Sequence, residues 1–302
     1  MQRYLSQIAL CEISDAGQQR LQAASILVVG AGGLGCAALP YLAAAGVGRL
    51  GIVDPDRIEL SNLSRQPLYR DADIGRPKAE VSHRRVSELN PQVAVHSFQL
   101  LLTPENATQL FQGYDLVIDA TDNFAARLAI NDACLRLGKP WVYGAIHRFE
   151  GQVALFDGGD YRALYPTPPD SSALPTCAQG GVIGALAGII GSIQALEAIK
   201  WIVQTHTLAN RLLRINALTW STQLFELSPE RPLEISLKAV HQLLSQGVDV
   251  HLIDHQEATA PVGQVTVITC PGGIRSAQVA RALRHQFPDR EIYSLKDLNR
   301  FL

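Results

Sequence analysis

The sequence predicts an α/β protein with a doubly wound, mostly parallel sheet, followed by a smaller α/β unit. Strand-like and helix-like segments alternate from Ser25 onward, and a glycine-rich turn joins the first strand to the first helix. The segment from Ser228 to Pro232 has the composition of a linker, and a second alternating pattern follows it. Alternating strands and helices are typical of parallel sheets that helices cover on both faces. We therefore expect one domain over residues 1–229 and a smaller one over residues 230–302.

The first βαβ unit consists of a predicted strand at Ser25–Val29, a helix at Gly33–Ala45 and a strand at 49–54. The alternation then continues through a helix at 77–90, strands at 94–100 and 116–120, a helix at 124–137 and a strand at 141–145. Next come a strand to Phe156, a long loop over 157–176, an apolar helix over 180–196, and a strand pair at 212–216 and 220–226. For the tail we predict a helix at 237–246, strands at 251–254 and 265–269, a helix at 274–285 and a strand near Ile292.

Composition excludes several classes of function. The chain has 302 residues, of which 47% are hydrophobic and 18% charged, and its formal net charge is −2. Without a broad cationic field, nucleic acid and anionic membranes are not expected partners. The apolar run from Gly180 to Leu196 is shorter than the roughly 20 residues of a membrane span. It leads into Glu197 and Lys200, so a buried core helix is favoured.

The cysteine pattern indicates a reducing compartment. Five cysteines are scattered along the chain without a Cys-x-x-Cys pair, which makes a disulfide framework improbable. The N-terminal segment has no long apolar core of the kind found in secretory signals. We therefore expect a cytoplasmic protein.

A glycine-rich turn predicts a nucleotide site. Gly30-Ala-Gly32-Gly33-Leu-Gly35 follows a strand and begins a helix, where backbone N–H groups can receive phosphate oxygens. Asp54 ends the next strand, where a carboxylate can accept hydrogen bonds from ribose hydroxyls. The alternative is that these glycines serve only close packing.

The glycines and Asp54 alone would also fit a dinucleotide dehydrogenase. The connection after Asp54 favours a triphosphate, because it is dense in charged and amide side chains: Asp56, Asn62, Arg65, Gln66 and Lys78. When a carboxylate attacks the α-phosphate of ATP and expels pyrophosphate, charge grows on phosphate oxygens and cations must face them. Arg65 and Lys78 are the candidates.

Asp122 and Asn123 follow the strand at 116–120, at the carboxyl edge where ligands of such sheets bind. A carboxylate there can hold Mg²⁺ beside bound phosphates. The alternative for Asp122 is an N-cap of the helix that follows.

Many segments together resemble the MoeB/ThiF/HesA family, relatives of ubiquitin-activating enzymes. They span about three quarters of the chain: Arg3-Tyr4, Gly30 to Gly35, Tyr41 to Gly48, Asp54, Leu60 to Gln66, Arg76-Pro-Lys78, Leu89-Asn-Pro91, Asp119 to Asn123, Glu150-Gly-Gln152, Thr176-Cys177 and Gly191 to Lys200. The resemblance implies a Rossmann-like, ATP-dependent homodimeric enzyme that adenylates the C-terminal glycine of a ubiquitin-like sulfur carrier, ThiS- or MoaD-like, in thiamin or molybdopterin biosynthesis. It also implies that Asp54 binds the ribose, that Asn62, Arg65 and Lys78 contact the phosphates, and that Asp122 holds Mg²⁺.

Two cysteines are candidates for sulfur or acyl chemistry. Cys177 matches a family cysteine that joins the carrier covalently in some relatives; packing is the alternative. Cys270-Pro-Gly-Gly-Ile-Arg275 resembles the active-site loop of rhodanese domains, in which backbone N–H groups and Arg275 would stabilise a thiolate or persulfide. A cysteine desulfurase would then be a possible sulfur donor.

The chain departs from the family pattern in three places. Ser6 stands where the family has an arginine that reaches the partner subunit's ATP, so Arg3 is considered as a substitute. Asp160 and Ala163 stand where many relatives have the first Cys-x-x-Cys pair of a zinc site, so zinc is not expected. The rhodanese-like tail is shortened, and Gln256 replaces its usual arginine. Three alternatives therefore stay open: activation of a different carboxylate, a dehydrogenase, and a scaffold that binds a carrier without catalysis.

Overall fold

The structure is a computed structural model that describes residues 2–165, 181–227, 234–236, 245, 249–254, 265–269 and 291–296. The chain divides into two compact units, Met1–Pro229 and Glu230–Leu302. The assignment of the second unit to a shortened rhodanese-like domain stays a prediction.

The first unit is built on an eight-stranded sheet in the order β3-β2-β1-β4-β5-β6-β7-β8. The strands from β3 to β5 are parallel, and β6 to β8 continue the sheet in antiparallel pairs. This confirms the predicted mostly parallel sheet. The strands are β1 Ser25–Val29, β2 Arg49–Val53, β3 Ala94–Phe98, β4 Leu116–Asp119, β5 Trp141–His147, β6 Glu150–Phe156, β7 Arg211–Asn216 and β8 Ser221–Glu226.

Helices cover both faces of the sheet, as a doubly wound fold requires. One buried cluster joins the sheet to α2, α3, α4 and α7, and the other joins the opposite face to α5 and α6. The helices of this unit are α1 Leu5–Ile8, α2 Ser14–Ala23, α3 Gly33–Ala45, α4 Lys78–Leu89, α5 Pro104–Phe111, α6 Phe124–Leu137 and α7 Gly184–Val203.

Within the described ranges, α7 is the one helix that is long and apolar enough to cross a membrane. Its most apolar window is 56% buried inside the protein, and it packs against α3, β5 and β6. Gly191 lies so close to α3 that an added Cβ would meet the Leu34 carbonyl oxygen. This packing agrees with the predicted core helix, which begins at Gly184 rather than at residue 180.

Three helices of the first unit were not among the predicted elements: the four-residue α1 and the longer α2 and α5. The helix α5 has only eight residues and is preceded by Thr103, whose backbone N–H donates to Asn106 Oδ1 at 2.9 Å. The helix α2 carries few apolar residues and packs through Gly17, where an added Cβ would lie 3.3 Å from Val203. In both cases contacts with the rest of the fold compensate for a weak apolar pattern.

The loop that follows β6 is tied to α6 by polar contacts. Asp160 Oδ1 accepts from Asn131 Nδ2 at 2.9 Å and from the backbone N–H of Arg162 at 2.9 Å. The Arg162 guanidinium forms a two-pronged ion pair with Asp132. No group of three or more His, Cys, Asp or Glu residues suited to a metal ion is found in the described part of the chain.

The second unit contains a four-stranded parallel sheet in the order β10-β11-β12-β9. The predicted helix at 237–246 is described only at Ser245, and the one at 274–285 lies outside the described residues. The strands are β9 Glu234–Ser236, β10 Val250–Asp254, β11 Val265–Thr269 and β12 Glu291–Lys296; β9 was not predicted.

Candidate functional site

Three parallel strands end side by side where the predicted nucleotide site begins. The register places Val29 of β1 beside Val53 of β2 and Asp119 of β4. The next residues therefore leave the sheet together: the backbone N–H of Gly30 donates to the Val53 carbonyl, and that of Ala120 donates to the Val29 carbonyl, both at 2.8 Å. The carboxyl edge of a parallel sheet is the usual ligand site of this fold.

The glycine turn needs glycine at its two ends. Gly30 has φ = +98°, and a Cβ at this position would lie 2.5 Å from the Ala120 carbonyl oxygen. A Cβ at Gly35 would meet the carbonyl oxygen of Gly30. The glycine turn thus folds back on itself as it enters the first turn of α3. The N–H groups of this first turn have no partner within the helix. These groups form an anion-binding surface.

Asp54 holds the glycine turn from the neighbouring strand. Its Oδ2 accepts from the backbone N–H of Ala31 at 2.7 Å, and its Oδ1 accepts from the backbone N–H of Asp56 at 2.8 Å. Asp54 is buried, and this burial raises the pKa of its carboxyl above the ordinary value, although the Ala31 N–H and Lys78 act in the opposite direction. Each oxygen keeps a second lone pair that can accept from a ribose hydroxyl.

Lys78 is joined to Asp54 through Asp56. Lys78 is the first residue of α4, and its Nζ lies 2.9 Å from Asp56 Oδ2. The Lys78 side chain is 7% exposed, whereas that of Asp56 is 63% exposed. A desolvated ammonium whose counter-ion faces solvent can turn to a phosphate without losing a buried partner.

The connection between β2 and α4 places three more predicted residues. Asn62 is buried and its Oδ1 accepts from the backbone N–H of Glu59 at 3.2 Å, so it shapes the turn. Arg65 is half-buried, and its Nη1 donates to the Ser61 carbonyl at 2.9 Å. Gln66 is buried, and its Oε1 has no hydrogen-bond partner. A buried amide oxygen without a partner is costly, and a bound water or a ligand can supply the missing donor here.

At the end of β4, the two neighbouring residues Asp122 and Asn123 have different surroundings. Asn123 is the N-cap of α6, because its Oδ1 accepts from the backbone N–H of Ala126 at 2.9 Å. The alternative that Asp122 caps this helix is therefore wrong. Asp122 is exposed, and no hydrogen bond or ion pair of its carboxylate is found among the described residues.

A buried ion pair that was not predicted from the sequence supports this edge. Asp119 Oδ2 lies 3.5 Å from Arg127 Nε, and Arg127 Nη2 donates to the Thr121 carbonyl at 3.2 Å. The guanidinium lies over the rings of Phe124 and Tyr143, 5.4 Å from each centroid. The available signal was a charged residue among the apolar residues of the first two turns of α6, one turn after its cap.

The structure therefore brings the glycine turn, Asp54, Asp56 and Lys78 into one network of contacts. The Arg65–Gln66 segment adjoins this network, because a Cβ on Gly33 would lie 3.3 Å from the Arg65 carbonyl oxygen. Arg3, the suggested substitute for the missing arginine, donates instead to the Leu89 carbonyl at the C-terminal end of α4 at 3.0 Å. Cys177, Cys270 and Arg275 lie outside the described residues.

The family model described as "ThiF family" matches residues 4–234. The chain belongs to the ThiF family, which confirms the resemblance stated above and argues against a dehydrogenase. A sulfur carrier protein adenylyltransferase of Thermus thermophilus is 48% identical over 227 residues, covering 72% of this chain and 84% of that protein.

Two longer relatives carry a second activity in their names. The adenylyltransferase and sulfurtransferase MOCS3 of Anopheles gambiae is 45% identical over 234 residues, covering 76% of this chain and 53% of that protein. The probable adenylyltransferase/sulfurtransferase MoeZ of Mycobacterium tuberculosis is 46% identical over 227 residues, covering 72% and 58%. The match thus spans little more than half of these relatives. The names of these relatives support the predicted class of enzyme, a sulfur-carrier adenylyltransferase.

Solved structures with the same fold are more distant in sequence. PaaA has a TM-score of 0.62 at 22% identity and covers 75% of this chain and 73% of its own. Escherichia coli MccB, solved with ATP, has a TM-score of 0.62 at 21% identity and covers 70% and 65%. At this level of identity the likeness shows the fold.

Proposed function

We propose that this chain uses ATP to adenylate the C-terminal carboxylate of a ubiquitin-like sulfur-carrier protein. The observation that carries the proposal is the continuous set of contacts from the glycine turn through Asp54 and Asp56 to Lys78. It supports the proposal because a helix N-terminus suited to phosphate, a carboxylate suited to a ribose and a cation lie beside one another. Family membership and the names of the relatives supply the acceptor.

Each residue has a defined task in this reaction. The N–H groups of the glycine turn bind phosphate oxygens, and Asp54 accepts from the ribose. Lys78 and Arg65 face the charge that grows on the phosphate oxygens as the carrier's carboxylate attacks the α-phosphate and pyrophosphate leaves. The first step needs no protein nucleophile, because positioning and electrostatic stabilisation suffice.

Asp122 fits a magnesium ion. It is a solvent-facing carboxylate without a competing partner in the described part of the chain, and its charge raises the pKa of the neighbouring Asp119 carboxyl after the larger effect of burial. Mg²⁺ is usually bound through one or two carboxylates together with substrate phosphates. When bound, it would neutralise charge on the phosphate oxygens.

The test is ATP–pyrophosphate exchange with carriers that end in Gly-Gly, both MoaD-like and ThiS-like, each compared with the same carrier lacking the last glycine. Exchange that needs the terminal glycine is the expected result, and the active carrier would identify the thiamin or molybdopterin pathway. Carrier binding without exchange would instead favour a non-catalytic scaffold, and exchange with none of the carriers would favour a different carboxylate.

The site assignment has its own control. Lys78→Ala should lower exchange by about 10²–10³-fold, the usual effect of removing one group that stabilises transition-state charge. Lys200→Ala is a matched variant, because Lys200 also pairs with a carboxylate, Glu197, at 2.6 Å but lies outside the proposed site. Equal exchange by the two variants would contradict the assignment.

The remaining expectations form part of the same proposal. A homodimer and sulfur delivery from a cysteine desulfurase through Cys177 or Cys270 rest on the resemblance to known families. A cytoplasmic location rests on the cysteine pattern and on the composition of the N-terminal segment. Mass measurement in solution tests the dimer. Persulfide formation with the Cys177→Ser and Cys270→Ser variants tests the two thiols separately.

A further inference from the structure

The buried residue Tyr69 is hydrogen-bonded to the glycine turn. Its hydroxyl donates to the carbonyl oxygen of Ala31, the residue between Gly30 and Gly32, at 2.6 Å. The same hydroxyl lies 3.0 Å from Ser82 Oγ of α4. Tyr69 is 5% exposed, so both contacts are shielded from water.

These contacts fix the two peptide groups on either side of the Ala31 Cα. The N–H of Ala31 is held by Asp54, and its carbonyl oxygen is held by Tyr69 and more weakly by Cys36 Sγ at 3.4 Å. Because both backbone groups of Ala31 face the protein, the orientation of the flanking N–H groups toward a ligand is set by Asp54 and by Tyr69, and only Asp54 is assigned a contact with the ligand.

Tyr69 also contacts the two segments that carry Lys78 and Arg65, the side chains proposed to bind the phosphates. Ser82 lies four residues after Lys78, on the same face of α4. The backbone N–H of Tyr69 donates to the Gln66 carbonyl at 3.1 Å, next to Arg65. One residue therefore connects the glycine turn to α4 through its hydroxyl and is itself tied to the Arg65–Gln66 segment through its backbone.

Resting on the proposed function, we propose that Tyr69 is a positioning residue whose hydroxyl fixes the glycine turn relative to Lys78 and Arg65. Phosphates held by the turn are thereby presented to the cations in the geometry that the transfer needs. Burial raises the pKa of the Tyr69 hydroxyl, so it remains a protonated donor over the whole working pH range.

The test is Tyr69→Phe, which keeps the buried ring and removes both contacts. Direct ATP binding by calorimetry, and kcat and KM for ATP in the exchange reaction, are measured on the full chain. Loss of one or two hydrogen bonds predicts a rise of about threefold to tenfold in KM for ATP. A fall of about tenfold in kcat is expected as well, because misplacement of the cations affects the transition state more than the ground state.

Tyr4→Phe is the matched control. Tyr4 is also buried, and its hydroxyl also makes two hydrogen bonds, to Gln92 Oε1 at 3.0 Å and from Asn90 Nδ2 at 2.9 Å. It packs against Gly46 at the far end of α3. The two variants should lose similar stability, whereas only Tyr69→Phe should change the ATP parameters.

Ser82→Ala provides a second measurement should Tyr69→Phe fold poorly. It disconnects Tyr69 from α4 and leaves the contact with Ala31, so a smaller fall in kcat is expected. If Tyr69→Phe has the wild-type kcat and KM for ATP, the inference about Tyr69 is overturned and the proposed function is not. The same holds for Ser82→Ala when Tyr69→Phe does not fold. A wild-type protein that binds no ATP would overturn the proposed function and the inference with it.

Discussion

Removing the charge of Asp119 should destabilise the first unit strongly. Asp119 is fully buried at the end of β4, and Arg127, its ion-pair partner, is 8% exposed. The change Asp119→Asn leaves the guanidinium without a counter-ion in the protein interior. We predict that it lowers the free energy of unfolding by about 3 kcal/mol.

The magnitude follows from what asparagine retains. Asp119 Oδ1 accepts from the backbone N–H of Thr121 at 2.9 Å and from its hydroxyl at 2.6 Å, and an amide oxygen can accept both. The loss therefore comes from the charge alone. Breaking a buried pair costs about 3–5 kcal/mol, and the 3.5 Å separation, at which Asp119 Oδ2 and Arg127 Nε form no hydrogen bond, favours the lower end. For a unit of this size, that corresponds to a melting temperature roughly 6–12 °C lower.

The assay is a double-mutant cycle with Asp119→Asn, Arg127→Met and the double variant, followed by urea unfolding. The double variant removes both buried charges. Its free energy of unfolding should therefore exceed the value expected from adding the two single losses by more than about 1 kcal/mol. Additivity within about 0.5 kcal/mol would refute the reasoning. Burial raises the pKa of Asp119 above its ordinary value of 3.8. At this group the folded protein therefore binds more protons than the unfolded chain just above pH 3.8, and the contribution of Asp119 to stability should fall there as pH rises. The difference in stability between the wild type and Asp119→Asn measures that contribution.

Three further predictions concern the turn, the surface of α4 and metal ions. Asp73 accepts hydrogen bonds from Arg84 and Arg85 at 2.7 and 3.0 Å. Burial raises the pKa of the Asp73 carboxyl, but the backbone N–H of Arg70 and these two guanidinium groups outweigh burial, so the pKa is lowered. Asp73→Asn should therefore lower the free energy of unfolding by about 2 kcal/mol at pH 7. In urea unfolding, the difference between this variant and the wild type should shrink as the pH falls through the lowered pKa of Asp73 in the folded protein. Gly30→Ala should abolish ATP binding in calorimetry, whereas Gly75→Ala, which has a similar positive φ of +84° but open space around it, should cost only about 1–2 kcal/mol of strain. A chelator should leave the melting temperature unchanged, and a drop would reveal a structural metal.

The sequence predicts the fold best where local signals agree. The bounds of α3 and α6 match the prediction because each helix is followed by a left-handed glycine, Gly46 or Gly138, and α6 begins after the Asn123 cap. The bounds of α2 and α5 could not be found in this way, since α5 is short and α2 gains its burial from α7. The antiparallel end of the sheet was predicted as strands, but their order depends on contacts distant in sequence.

The same distinction applies to the site. The glycine turn and Asp54 belong to one βαβ unit whose spacing is visible in the sequence. Arg127 and Tyr69 could not be assigned, because their importance comes from Asp119 and Ala31, residues that a linear pattern does not place beside them. The roles predicted for Asp56, Asn62, Arg65, Gln66, Lys78 and Asp122 remain part of the proposal.

The central position of β1 has a consequence for how the chain is made. Its neighbour β2 is synthesised soon after it, whereas β4 follows about ninety residues later, as the pairing of Ile26 with Leu116 shows. Domains begin to fold while the chain leaves the ribosome, so β1, whose five residues are all buried in the finished fold, exposes an unpaired hydrophobic edge until β4 arrives. Nascent chains that stop between β3 and β4 should therefore be prone to aggregation and should bind chaperones.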